Sequence, residues 1–179
     1  MKKILYVLGE GFRPEEYYYP KKIFEKNNFM VITTGKKHTI QASNIPGMPE
    51  EQSADVTFDE VNVGEYDAIL MAGGNPAWKN LFNDESCKRL FIEASDKSML
   101  IGGICAAPAV LANYGILEGK AATVFPGIGE FLEEGGANSV YDDESWKGYP
   151  IVQVDGNLIT ANGPWATESF AKAVIEKLG

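Results

Sequence analysis

Histidine occurs once in the 179 residues, as His38, and cysteine only twice, as Cys87 and Cys105. Two cysteines cannot build a disulfide framework, and these two lack the close spacing of a zinc knuckle. No histidine follows Cys105, which excludes an ordinary Cys-His dyad with a later histidine, and metal sites are not expected. Basic residues are also scarce, with 16 Lys+Arg against 25 Asp+Glu and a formal net charge of −9. A sequence-independent grip on phosphate needs clustered Lys and Arg, so nucleic acid and anionic membrane surfaces fit poorly as partners. No run approaches the ~18 apolar residues of a membrane span. Met1-Lys2-Lys3 before an apolar run imitates a signal peptide. That run is shorter than the usual ~7–15 residues, however, and it ends in Gly9-Glu10-Gly11, so it reads as a first strand. With so few thiols, a reducing cytoplasm is the expected setting.

What is present is an ordinary globular composition, 45% hydrophobic and 23% charged, of a length that suits one domain over residues 1–179. Short apolar runs at 4–8, 29–33, 68–72, 99–104, 121–125, 151–154 and 158–160 read as strands. Helical patterns occupy 14–26, 84–95, 106–114 and 166–178. Strands without polar alternation suit burial on both faces, and their alternation with helices predicts an α/β sandwich, a mostly parallel sheet with helices on both faces. Pro14, Glu15 and Glu16 suit a first helical turn, whereas Pro20 is expected to kink that helix or split off its first turn. Residues 36–63 read as a surface excursion with a hairpin around Ile45-Pro46-Gly47, and 126–150 as a long loop. Asp155-Gly156 marks a hairpin turn.

In an open α/β sheet, ligands bind beyond the carboxyl ends of the strands. With the strand order 2-1-3-4, the turns after the first, third and fourth runs converge. They carry Glu16, Gly73-Gly74 and Cys105. Cys105 ends a strand and begins a helix, the arrangement of a nucleophile elbow, and a helix N-terminus favours thiolate. The plain alternative is a buried small hydrophobe, which is also the expected role of Cys87 on its helical stripe. The backbone N–H groups of Gly74 and Ala106 are candidate oxyanion donors, although a glycine pair after a strand also serves as a tight turn. Glu15 and Glu16 otherwise complement a helix dipole, and His38 reads as a solvated loop residue.

Pro14-Glu15-Glu16-Tyr17-Tyr18-Tyr19-Pro20, Ala72-Gly73-Gly74-Asn75, Gly103-Ile104-Cys105-Ala106-Ala107-Pro108 and the segment from Asp155 to Gly163-Pro164 resemble the ThiJ/PfpI (DJ-one-like) superfamily, with its class I glutamine amidotransferase-like architecture. The resemblance covers nearly the whole chain. It implies a flavodoxin-like three-layer sandwich, usually dimeric, with Cys105 as the reactive cysteine, Glu16 beside it, and Gly74 and Ala106 as oxyanion donors. It implies no metal or organic cofactor. Gly73, Tyr18 and Trp165 are expected to wall the pocket. Activities in such proteins include glyoxalase III-type and deglycase chemistry on small reactive carbonyls, hydrolysis of peptides, and redox-responsive or protective roles under oxidative stress. The histidine that protease-like members carry after the cysteine is Ala106 here, and the one another branch draws from after the fifth strand is Ala137, following Gly135-Gly136. Tyr141, Asp142, Asp143 and Glu144 are candidate substitutes. The expected function is therefore a cysteine-dependent enzyme forming a Cys105 hemithioacetal with a small carbonyl substrate. The alternatives are a redox-responsive protein whose Cys105 becomes sulfinate and a cysteine hydrolase, which the missing histidine disfavours.

Overall fold

The computed structural model describes residues 1–140 and 148–179. In chain order the strands are β1 (Lys3–Val7), β2 (Met30–Gly35), β3 (Thr39–Gln41), β4 (Glu51–Ser53), β5 (Val56–Thr57), β6 (Ala68–Met71), β7 (Leu100–Ile104), β8 (Ala121–Ala122), β9 (Asn138–Ser139), β10 (Val152–Asp155) and β11 (Leu158–Ala161). The helices are α1 (Glu15–Lys26), α2 (Ala77–Leu81), α3 (Glu85–Asp96), α4 (Ala107–Asn113), α5 (Glu130–Glu134) and α6 (Thr167–Leu178). Among the described residues, seven strands form the central sheet in the order β10-β11-β7-β6-β1-β2-β5. All pairs are parallel except β10 with β11, which the turn at Asp155-Gly156 joins as a hairpin. The expected order of the four central strands is the observed β2-β1-β6-β7.

Alternation along β1 divides the core into two layers. Ile4, Tyr6 and Leu8 pack with Tyr17 and Phe24 of α1 and Phe170 and Val174 of α6. Leu5 and Val7 face the other way, toward Leu90 and Phe91 of α3 and Val110 and Leu111 of α4. Side chains of this size each contribute about 1.5–3 kcal/mol when fully buried, which fixes both helical layers against the sheet. The result is the flavodoxin-like three-layer sandwich. Helix α3 is capped by Asp84, whose carboxylate accepts the Cys87 N–H at 3.0 Å. The excursion after β2 contains the expected hairpin, β3 paired antiparallel with β4.

Three expectations need correction. The run 121–125 does not add a strand to the central sheet. Only Ala121–Ala122 is extended in a ladder, paired with Asn138–Ser139 in a separate two-stranded sheet. The rest crosses the carboxyl end of the central sheet, where the Thr160 hydroxyl accepts the Thr123 N–H and the Cys105 carbonyl accepts the Phe125 N–H. Apolar burial there comes from position, not from strand pairing. Pro20 does not split α1, which is continuous from Glu15 to Lys26. The short helices α2 and α5 lie in stretches with no helical reading, because five residues are too few to display a period. Among the described residues, no helix is long and apolar enough to cross a membrane.

Candidate active site

The turns after β1, β6 and β7 meet at the carboxyl edge of the sheet. The Arg13 N–H donates to the Gly73 carbonyl at 3.1 Å, tying the first turn to the second. The Gly73 N–H in turn donates to Oε2 of Glu16 at 2.9 Å, so the second turn grips the first helix of the fold through its carboxyl. Cys105 follows β7 directly, its N–H donating to Ala161 and its carbonyl accepting from Phe125, both at 2.8 Å. These two bonds hold it at φ +63°, a left-handed conformation that non-glycine residues rarely adopt and that concentrates at functional turns.

The glycines are required by close approach. Gly74 has φ +110°, and a Cβ there would collide with the backbone of Arg13, Gly11 and Phe12. A Cβ on Gly73 would stand 2.8 Å from the Ala106 nitrogen and 2.9 Å from the Cys105 Cβ. The strand-following turns therefore press together closely enough for the N–H groups of Ala106 and Gly74 to act on the Cys105 sulfur, where they favour its ionised form.

Glu16 is fully buried at the start of α1. Burial pushes its carboxyl up to about 8, against the hydrogen bonding of Cys105, the charge of Arg13 and the Gly73 N–H, which pull it down. The shift favours the protonated carboxyl at neutral pH. Its second oxygen, Oε1, has no well-aligned hydrogen bond, and the Cys105 thiol is the side chain whose hydrogen bonding couples to this carboxyl. Burial, and then the Glu16 charge, push the Cys105 thiol well above the ordinary thiol range. Helix-terminus reasoning alone predicts an ionised sulfur. In the folded molecule desolvation outweighs it, and the two acids share one buried site.

Cys105 opens onto a cavity of about 380 Å³, lined also by Arg13, Gly74, Trp78, Ala106 and Phe125. Tyr18 and Trp165 are not among its described lining residues. The Tyr18 hydroxyl reaches outward to Gln52 at 2.9 Å, and its ring packs on Tyr17. Trp165 sits one layer behind, 5.8 Å from the Phe125 ring, with its indole N–H donating to Asn162. Gly73 serves the interior side, toward Glu16. His38 is exposed beside Glu60 and away from the cavity lining. Cys87 is buried in the core, where desolvation pushes its thiol up to about 12. Tyr141, Asp142, Asp143 and Glu144 lie outside the described residues. No group of three or more metal-ligating side chains occurs among the described residues.

Sequence reasoning missed Arg13, Trp78, Lys79 and Phe125 as lining residues. Arg13 carried a usable signal, since it lies on the turn after β1 that was already assigned to the cleft. Phe125 carried none, because it comes to Cys105 through a backbone hydrogen bond between distant segments.

The profile of the DJ-1/PfpI family matches residues 2–177. The chain is 30% identical over 177 residues to an uncharacterised protein of Methanocaldococcus jannaschii, covering 99% of this chain and 82% of that one. It is 27% identical over 180 residues to a protein of Pyrococcus furiosus named deglycase PfpI, covering 98% and 99% of the two. A ThiJ/PfpI domain protein from Brachyspira murdochii superposes with a TM-score of 0.86 at 30% identity, over 98% of this chain and 95% of that one. With its elbow cysteine and buried glutamate on the carboxyl edge of this sheet, the chain belongs to the DJ-1/PfpI family.

Proposed function

We propose that the protein is a cysteine-dependent enzyme acting on small reactive carbonyl compounds, with methylglyoxal as the working substrate. The observation that carries this reading is the coupling of Glu16, its carboxyl raised to about 8, to a Cys105 thiol that borders a solvent-open cavity. A protonated carboxyl beside a thiol offers both a proton donor and, after donation, a base.

Cys105 sulfur adds to the aldehyde carbon, and the carbonyl electron pair moves to oxygen, which takes a proton from the thiol–carboxyl pair. The product is a hemithioacetal. Once the remaining proton of the pair has passed to solvent, Glu16 as carboxylate removes the proton on that carbon and passes it to the adjacent ketone oxygen, giving an enediol. Return of a proton to the second carbon yields a lactoyl thioester, and water releases lactate and the thiol. The N–H groups of Gly74 and Ala106 stabilise oxyanion character. That several relatives are named deglycases agrees with carbonyl chemistry at such a cysteine.

A second reading is favoured by Oε1 of Glu16, which lacks a well-aligned partner. As a protonated acid it can donate to a sulfinate oxygen on an oxidised Cys105, making the site a redox reporter. We take residues 1–179 as one domain working as a cytoplasmic homodimer without a cofactor; light scattering at twice the chain mass tests the dimer. Lactate production from methylglyoxal tests the enzyme. Equal turnover by Cys105→Ala ends that reading, whereas selective sulfinate at Cys105 without turnover favours the redox one.

A further inference from the structure

The cavity beside Cys105 has a charge bias that the reaction above does not require. Its described lining residues include two cations, Arg13 and Lys79, and no carboxylate, although the whole chain has a formal net charge of −9. Arg13 Nη2 meets one oxygen of Glu15 at 3.1 Å. Its Nε is buried without an acceptor, and the other Glu15 oxygen is buried without a donor. This is a single-point pairing, not a fork-to-fork one, and it leaves donors of a planar guanidinium uncommitted. The Arg13 side chain is 37% exposed. Lys79 stands at the rim with Nζ 5.7 Å from the ring centroid of Trp78, another lining residue. One Glu15 carboxylate does not offset two cations, so the described lining of the cavity is net positive.

We propose that this site prefers small carbonyl compounds that also carry a carboxylate, with Arg13 as the specificity-determining residue and Lys79 assisting at the rim. The proposal rests on the carbonyl reading above and names its substrate class. A guanidinium recognises a planar carboxylate through two parallel N–H···O bonds, and a cavity of about 380 Å³ has room for a ligand of a few carbons. For glyoxylate, the simplest member, the sulfur–carbon bond forms as the aldehyde π pair moves to oxygen. That oxygen takes the proton the thiol gives up, relayed by Glu16, and the carboxylate leaves the step unchanged. No oxidant or reductant is needed.

The test compares second-order alkylation of Cys105 by iodoacetate and by iodoacetamide, each normalised to 2-mercaptoethanol at the same pH and salt. The normalised ratio is expected to exceed one by about tenfold at low salt and to fall as salt is added. Arg13→Gln is expected to lower it at least about fivefold, Lys79→Gln by less. Glyoxylate should protect Cys105 from alkylation at lower concentration than methylglyoxal does. A wild-type ratio of one or below, a reading that needs no variant to fold, overturns the proposal, as does a ratio unaltered in both variants. A ratio of one alongside methylglyoxal turnover overturns the carboxylate preference alone. Absence of any mass-detected adduct with either aldehyde overturns the carbonyl reading and this proposal together.

Discussion

The Tyr6 hydroxyl donates a 2.7 Å hydrogen bond to the backbone carbonyl of Glu16, the carbonyl that Pro20, having no N–H, leaves without its helical partner. A strand residue thus completes the helix turn that carries the buried carboxyl. Tyr6→Phe is expected to cost about 1–2 kcal/mol in urea unfolding. In a Pro20→Ala background, where residue 20 regains its N–H, the same change should cost less. Additive effects in that double-mutant cycle would disprove the coupling.

The raised carboxyl of Glu16 makes stability depend on pH. Its folded value of about 8 lies above the ordinary carboxylate range, so the folded state binds the extra proton. That stabilisation is complete below the unfolded value and is lost as pH rises toward 8. Urea midpoints should therefore fall between pH 5 and 8, with a slope on the order of 1 kcal/mol per pH unit from this group. Glu16→Gln should flatten that slope, and an unchanged slope in the variant would rule out Glu16 as its source.

Gly74→Ala should destabilise the fold by about 2 kcal/mol or more, because φ +110° and the backbone of Arg13, Gly11 and Phe12 both oppose a Cβ. Alkylation of Cys105 should slow in the same variant, since the Gly74 N–H acts on that sulfur. A stable variant with wild-type alkylation kinetics would contradict both statements.

The two thiols should separate cleanly in peptide mapping after iodoacetamide. Cys105 borders the cavity, whereas Cys87 is fully buried and its thiol is pushed up to about 12. Native protein should label at Cys105, and both cysteines should label only in denaturant. Native labelling at Cys87 would show that the core opens around α3.

Much of the site could be read along the chain because its parts follow strands. Gly73, Gly74 and Cys105 stand just beyond the ends of β6 and β7, Glu16 lies in the first turn of the helix that follows β1, and a parallel sheet gathers such positions at one edge. Tyr18 and Trp165, expected as pocket walls, are not among the described lining residues, since closeness in sequence to Glu16 or to the final hairpin does not fix a rotamer. Tyr18 turns to Gln52, and Trp165 stacks behind Phe125. The run 121–125 was apolar for burial under the loops, a demand that no periodicity separates from strand formation.

Hydrophobic patterning and turn chemistry, both local properties, determined the layers and the positions available for chemistry, whereas the expected strand order came from the usual order of such sheets and is set by long-range pairing. The protonation of the Glu16–Cys105 pair and the cationic lining of the cavity were decided only by tertiary structure. Both depend on how much water is excluded and on which distant charges come within range, and neither quantity exists until the three turns have closed on one another.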